Sequence, residues 1–428
     1  MNWFKHAGLG LFVHWDHASQ QGIELSWPLV GRWQWPGYDA VNMESDDVSV
    51  AEYHSTAATF NPVRWDAADL ARRARQAGAR YVVFTAKHAA GYAMFHTKHS
   101  DYSIEHSPFG RDITRELVDA VRAEGLRVGI YYSLADWHHP DYPAFTDADR
   151  PYAREGYRRA TEEEWGRYLR YMHDQLTELL TQYGQIDLLW FDGDWERTVE
   201  EWRADQIRLL VKSLQPKVVI NDRLPRHGDY GTPEQVTPIA TPPGAWELCL
   251  TMSESWGYRP ADHRHKTARQ LAAYLSEVTG KGGNLLLNVG PTGEGRLPDW
   301  QLERLDALAD WTARHGEAVL GVRPGPAGVQ FYGPVTERDN TIYLHLVMRP
   351  VDEVVARGLP VRRISGVRLL GTGESLPFRT NVEVHNGVVS AEPTGELFVD
   401  FPGDSGALID VIAVDLGEPG VNVSSGPA

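Results

Sequence analysis

Short β-branched and aromatic runs alternate with helical periodicity from the first residues to about position 320. This alternation confines the chain to βα units around a mainly parallel sheet. Strands are predicted at "LGLFVHW" (9–15), "RYVVFTA" (80–86), "RVGIYYS" (127–133), "DLLWFDG" (187–193), "KVVIND" (217–222), "WELCLTM" (246–252) and "NLLLNVG" (284–290). Helices are predicted over 66–78, 114–125, 162–184, 199–214, 268–280 and 299–316. Thr114 is placed to cap the second of these, and Gly125 to end it. Seven strands with crossover helices fit an irregular (β/α)8-like, TIM-type barrel with one unit hidden from the pattern. The rival is an open doubly wound sheet, but no GxGxxG or GxxxxGK turn follows any of these strands.

At "GVRPGPAGVQFYGP" (321–334) helical periodicity gives way to clustered Pro and Gly. Short alternating runs follow at "TIYLHLV", "GVRLLG", "VEVHN" and "GELFVDF". The pattern predicts a catalytic barrel over 1–322 and an all-β sandwich over 323–428. The tail "GVNVSSGPA" reads as disordered.

Acids outnumber bases 58 to 42, for a net charge of −16, which repels phosphate backbones and anionic lipid. Nucleic acid and membrane surfaces are therefore not expected partners. No apolar run approaches the roughly 18 residues of a membrane helix, and "MNWFKHAGLGLFVHW" lacks a signal-peptide layout. The compartment stays open. The single cysteine, Cys249, forms no internal disulfide, and no Cys/His spacing suits zinc.

In an α/β barrel the reactive groups gather where strands end, since the βα loops form the mouth. The first strand ends in His14-Trp15-Asp16-His17, the second in Lys87-His88, and the third in Tyr131-Tyr132-Ser133 with Asp136-Trp137-His138-His139 beyond. The fourth ends in Asp192-Gly193-Asp194-Trp195, the fifth in Asn221-Asp222-Arg223 and the last in Asn288. One such acid commonly caps a helix, whereas five or six ends rich in His, Trp and carboxylate describe a site. Of 15 tryptophans, Trp27, Trp33, Trp35, Trp137, Trp195 and Trp256 fall near loops, where flat faces suit sugar rings. Glycoside hydrolysis needs two carboxyl groups flanking the scissile bond. Asp192 at a strand tip is the first candidate, with Gly193 letting the chain turn, and Asp194 competes with it. Asp187, at the start of the same strand, reads as structural.

The stretches "GLGLFVHW", "AGARYVVFTAKHAAGYAMFHTKHSDYSI", "GLRVGIYYSLADWHHPDY", "DLLWFDG", "NDR", "GDYGTPEQ", "WELCLTMSESWGY" and "GKGGNLLLNVGPTGEG" resemble, in the same order, those of the glycoside hydrolase family 29 α-L-fucosidases. The likeness covers about the first 320 residues. It implies a retaining exo-hydrolase with no metal or other cofactor, acting on fucosylated oligosaccharides or glycoconjugates. By the resemblance Asp192 in "WFDG" is the nucleophile and Glu234 in "GDYGTPEQ" the acid/base, with Glu247 in "WEL" as the fallback. His14, His88, Tyr131 and Arg223 match positions around the fucose hydroxyls and the nucleophile, and Trp256 in "SWGY" matches the pocket wall. Trp27 opens the aromatic stretch "SWPLVGRWQWPGY" (26–38), placed to line the aglycone side. "SWGY" and "GDYGTPEQ" are closer to the branch acting on α-1,3/1,4-linked fucose.

Two departures stand out. Many members read KHHDG where this chain has Lys87-His88-Ala89-Ala90-Gly91, and HWG where it has Asp16. His17, His138 and His139 are candidates to compensate for the lost histidine. Arg223 is expected beside Asp192, an apolar loop around Glu234, and Trp256 with Tyr92 or Phe95 as an aromatic wall. Two rivals remain: a metal-dependent barrel hydrolase using the clustered histidines, and a sugar-binding relative without catalysis.

Overall fold

The computed structural model describes residues 1–30, 48–150, 158–403 and 405–418. All seven predicted strands form: β1 (Leu9–Val13), β2 (Tyr81–Lys87), β3 (Arg127–Ser133), β4 (Leu188–Asp192), β5 (Val219–Ile220), β6 (Glu247–Thr251) and β7 (Asn284–Val289). They pair in parallel in the order β5-β4-β3-β2-β1-β7-β6. Between the edges β5 and β6 lies a thin seam. Asn221 bridges Tyr230, Gly231 bridges Trp246 and Glu234 bridges Cys249, all in the parallel sense. Asp229 N donates to Ile220 O at 2.6 Å, and Gln235 N to Cys249 O at 2.9 Å. This segment lies where an eighth strand would, but it is joined only by isolated bridges and no helix follows it before β6, so the sheet has seven strands. The segment's wording, "GDYGTPEQ", carries two glycines and a proline, which break strand periodicity.

Strands buried on both faces read as near-continuous apolar runs, and β1, β2, β4, β6 and β7 are buried at every position. One set of alternate residues faces the helices: Leu11, Val13, Leu189, Phe191, Leu285 and Leu287 share a core with Leu70, Leu117, Val121 and Leu176. The other set meets inside the curl, where Phe12, Tyr131, Trp190, Cys249 and Leu286 pack with Phe4, Tyr81 and Tyr230. Gly10 leaves room for this filling, since a Cβ there would fall 2.3 Å from the Tyr81 ring. The two-residue period then carries the next inward positions to the mouth. Beyond Phe12 comes His14, beyond Trp190 comes Asp192, and beyond Leu286 comes Asn288.

The helices run over Ala67–Gln76, Ile113–Ala123, Glu162–Gln182, Ala268–Gly280 and Asp299–His315, with a further short helix at Val50–Ser55 that periodicity did not reveal. The predicted 199–214 helix is broken into Val199–Trp202 and Ala204–Leu214 by Arg203 at φ +51°. The cap before Ile113 is Asp112, whose carboxylate accepts from Arg115 N at 2.8 Å, and not Thr114. Thr114 sits inside the first turn and donates to Met94 O at 2.8 Å.

In the C-terminal part, a six-stranded antiparallel sheet including Val335–Arg338, Thr341–Leu346, Ile364–Leu369 and Asp410–Leu416 faces a three-stranded one built from Glu353–Pro360, Phe378–Asn381 and Thr394–Asp400. Ile342, Leu344, Val354, Ala356, Leu397, Val399, Ile412 and Val414 share their core. The predicted strand "VEVHN" is instead the start of a helix, Val384–Val389, because Glu383 turns back to accept from His385 N and Asn386 N. Trp311 Nε1 donates to Ile409 O at 2.9 Å, tying this part to the last barrel helix. The "GVNVSSGPA" tail lies outside the described residues. Among the described residues no helix is long and apolar enough to cross a membrane.

Candidate active site

Asp192 ends β4 nine-tenths buried, and both of its oxygens are held. Tyr131 Oη donates to Oδ2 at 2.7 Å, and Arg223 Nη1 to Oδ1 at 2.7 Å. Tyr131 is itself clamped between two rings, stacked on Trp190 at 5.5 Å and on His88 at 5.6 Å. Arg223 lies over the Trp190 face at 4.6 Å. Gly193 follows at φ +78°, so the chain turns away at once and leaves the carboxylate at the mouth.

The second arm of Arg223, Nη2, lies 2.5 Å from Glu234 Oε2. One guanidinium therefore holds both predicted catalytic carboxylates. The apolar loop expected around Glu234 is not there: its side chain is 35 % exposed and sits on a cation. The reason is the seam, which delivers Glu234 beside β6 at the barrel rim rather than on a free loop.

Glu247 lies deeper. It is fully buried, accepting from Tyr81 Oη and from Trp190 Nε1 at 3.1 Å, and burial pushes its carboxyl up to about 7. It supports the aromatic layer beneath Asp192. Asp194 opens the next turn; burial, then the Asp192 charge, raises it to about 6, but Tyr131 and Arg223 bond to Asp192 instead. Asp187 is at the opposite end of β4, bonded to Arg127 Nη1 at 2.9 Å and Val128 N at 3.0 Å.

His14 and His88 meet edge-on with ring centroids 6.0 Å apart. Trp256 packs on His14 at 4.9 Å, and Trp27 meets His88 edge-on at 6.3 Å. These two half-buried indoles form the aromatic wall. Tyr92 and Phe95 do not join it, because Tyr92 packs on His17 and Tyr102, and Phe95 on Tyr183. The rest of the 26–38 stretch, from Gly31 onward, lies outside the described residues.

The departures from the resemblance sit in a neighbouring cluster. Asp16 caps a short turn by accepting from Ala18 N at 2.8 Å, and its burial raises it to about 7. His17 is buried between Thr56 Oγ1 at 2.6 Å and Tyr102 Oη at 2.7 Å; desolvation lowers it to about 3. His138 stacks on Tyr102, and His139 packs on Tyr171. None of the three contacts His14, Tyr131 or Asp192, and Ala89 has no substitute among them.

Sequence reasoning missed several supporting groups. Glu24 accepts from Trp256 N at 2.5 Å and Gly257 N at 2.9 Å, holding the loop that carries the wall. Ser26 and Asn288 bind the inner nitrogens of His88 and His14, each at 2.6 Å. Asn288 is one of the strand ends read from the sequence, with only its role toward His14 missed; Glu24 and Ser26 lie in irregular chain and had no signal. Among the described residues no group of three His, Cys, Asp or Glu side chains is gathered for a metal ion.

A family model described as Alpha-L-fucosidase matches residues 1–317. Tissue alpha-L-fucosidase of Bos taurus is 32% identical over 348 residues, 75% of this chain and 69% of the relative. Alpha-L-fucosidase of Branchiostoma floridae is 29% identical over 393 residues, 84% of this chain and 81% of the relative. Among solved structures, alpha-L-fucosidase isoenzyme 1 from Paenibacillus thiaminolyticus superposes with a TM-score of 0.82 at 33% identity, covering 97% of this chain and 98% of that one. A Bacteroides thetaiotaomicron family 29 α-L-fucosidase, described as a covalent intermediate trapped with 2-fluoro-fucosyl fluoride in a Glu-to-Gln variant, gives 0.79 at 25% identity over 96% and 94% of the two chains.

Proposed function

The chain belongs to the α-L-fucosidase family of glycoside hydrolases, and on that premise we propose that it is a retaining exo-enzyme with Asp192 as nucleophile and Glu234 as acid/base. The supporting observation is the shared Arg223 fork. Two carboxylates on the two terminal nitrogens of one guanidinium suit the separation of about 5–5.5 Å that retaining glycosidases use. The covalent intermediate named for the Bacteroides relative supports the same reading.

In the first step an Asp192 oxygen attacks the anomeric carbon while Glu234 gives its proton to the departing glycosidic oxygen. As the sugar enters, Glu234 gives up its ion pair with Arg223, takes a proton from solvent and turns to that oxygen. Tyr131 and Arg223 keep the nucleophile aimed. In the second step Glu234 takes a proton from water, which displaces Asp192 and releases fucose with its configuration kept. Trp27 and Trp256 offer apolar faces to the sugar, and His14 and His88 meet its hydroxyls. The proposed substrates are glycans carrying α-1,3- or α-1,4-linked fucose. The strands from 323 onward are proposed as a separate domain bracing the barrel.

Asp192→Gly tests the assignment. It should abolish nearly all turnover of an aryl α-L-fucoside, and azide should restore part of it as a fucosyl azide. A variant with near-normal rates removes Asp192 from the role. Wild-type product of inverted configuration removes the double displacement. A panel of oligosaccharides with fucose in different linkages tests the substrate preference.

A further inference from the structure

The main chain around Glu234 is pinned on both sides by one residue of β6. Cys249 N donates to Pro233 O at 3.2 Å, and Gln235 N donates to Cys249 O at 2.9 Å. A parallel ladder continued by one more step would bring Thr251 N to the main-chain carbonyl of Gln235. The chain breaks off instead. Gln235 stands at φ +63°, and Val236 N donates back to Glu234 O at 2.7 Å. A hydrogen bond between residues two apart, with positive φ at the residue between them, is the rare and strained form of the γ-turn. The Thr251 N–H, deprived of a main-chain partner, donates to the Gln235 side chain, with Oε1 at 3.3 Å, and Thr251 Oγ1 lies 3.1 Å from the same oxygen.

Glycine would take this backbone conformation without strain. The residue is glutamine, and its Nε2 is buried with no hydrogen-bond partner among the described residues. Strain and an orphaned donor meet directly after the proposed acid/base, so the side chain must supply something that glycine cannot. What it supplies is an acceptor that replaces the lost carbonyl and ties the turn to Thr251, which is buried in β6 in register with Asn288. We propose that Gln235 is a positioning residue for Glu234, its side-chain amide locking the γ-turn to Thr251 so that the carboxyl swings only between Arg223 and the departing oxygen. This rests on the reading of Glu234 as the acid/base. Asp192 is followed by a similar abrupt turn at Gly193, φ +78°, but that turn carries no side chain and needs no lock.

Gln235→Met keeps the length of the side chain and removes the acceptor. It should lower kcat/KM on fucosyl oligosaccharides about tenfold, the scale of one hydrogen bond, with the loss in kcat rather than KM. On fucosyl fluoride, which needs no proton from Glu234, the first-step rate should stay at the wild-type value. Gln235→Gly relieves the strain while removing the amide, so it keeps the test open if Gln235→Met does not fold, and it should show the same selective loss. Equal losses on both substrates, or none, overturn the proposal. Glu234→Gln measured alongside separates the two readings: a selective loss there without one in the Gln235 variants sinks the lock and leaves the acid/base standing. Should Glu234→Gln lose equally on both substrates, a crystal structure of the Gln235 variant decides without turnover. Glu234 displaced from the Arg223 guanidinium is expected, and an unmoved Glu234 overturns the positioning role.

Discussion

Arg223 is joined to Glu234 through Nη2 at 2.5 Å, while its Nη1 stays 2.7 Å from Asp192. The pair of carboxylates is thus spaced by one rigid, permanently charged plane rather than by two independent side chains. If Glu234 supplies the proton, its loss should matter in proportion to the leaving group's need for one. Glu234→Gln is expected to slow cleavage of fucosyl oligosaccharides by about 10²–10⁴-fold in kcat/KM. Fucosyl fluoride, whose leaving group needs little help, should retain most of its first-step rate. Equal losses on both substrates would assign Glu234 to holding Arg223 and not to proton transfer.

Gly193 fixes where Asp192 points. At φ +78°, a side chain is strained whatever the space, and the space is also taken: an added Cβ would lie 3.0 Å from Ala135 Cβ, 3.1 Å from Ala135 N and 3.2 Å from Ser133 Oγ. Gly193→Ala should cost about 1–2 kcal/mol of stability, the scale of a left-handed non-glycine residue. It should also reduce kcat by more than tenfold, because relief of the contact moves the β4 tip. Urea denaturation and initial rates read the two effects. A variant with wild-type kcat would show that the turn does not aim the carboxylate.

The difference between what the chain announced and what it concealed follows from periodicity. Strands such as Tyr81–Lys87 are buried on both faces, so their apolar runs are continuous, and the polar residue that ends each run marks the mouth. Asp192, His14, His88, Tyr131 and Arg223 were legible on that basis and meet in space. The segment in the eighth position was not, since Tyr230 to Glu234 touches its neighbours through single bridges and has no repeating pattern. The same irregularity hid the Arg223–Glu234 contact. Ser26 and Glu24 act across about 60 and 230 positions of sequence, on His88 and Trp256, and no local pattern reports such a distance. Aromatic content misled at Tyr92 and Phe95, which serve the core beside the pocket.

Glu247 links the site's foundation to pH. Burial raises it from 4.5 to about 7. Between those values the unfolded chain releases this proton while the folded chain keeps it. The group's contribution is therefore complete below about 4.5 and is lost as pH rises through about 7. The slope is at most about 1.4 kcal/mol per pH unit. Buried His17 and His345, both lowered to about 3, act in the opposite direction, costing stability as pH falls below 6.5. Asp16 and Glu24, raised to about 7 by burial, act in the same direction as Glu247, so a variant is needed to isolate this carboxyl. In Glu247→Gln the amide oxygen can still accept from Trp190 and the amide N–H can donate to Tyr81 Oη. Its stability relative to wild type should improve by roughly 1–3 kcal/mol between pH 5 and pH 8 in chemical denaturation. A pH-independent difference would mean that Glu247 does not titrate in this range.

Lys87 and Asp136 make an ion pair at 3.0 Å with side-chain exposures of 0% and 2%. Asp136 is saturated: Oδ2 also receives Tyr171 Oη at 3.1 Å, and Oδ1 receives His138 N at 3.2 Å and His139 N at 3.0 Å. Lys87 Nζ lies 4.4 Å above the Tyr132 ring. The pair couples the tip of β2, next to His88, to the loop that carries Trp137 against Trp27. Removing one partner leaves a buried charge, so Lys87→Met should cost about 3–5 kcal/mol. Lys87→Met with Asp136→Asn should recover a large part of that loss, because an asparagine oxygen still accepts from His138 N and His139 N without a charge. Denaturation of the two single variants and the double variant gives the coupling directly. A double variant no more stable than Lys87→Met would show that the cost lies in lost packing on Tyr132 and Tyr171 rather than in the orphaned carboxylate.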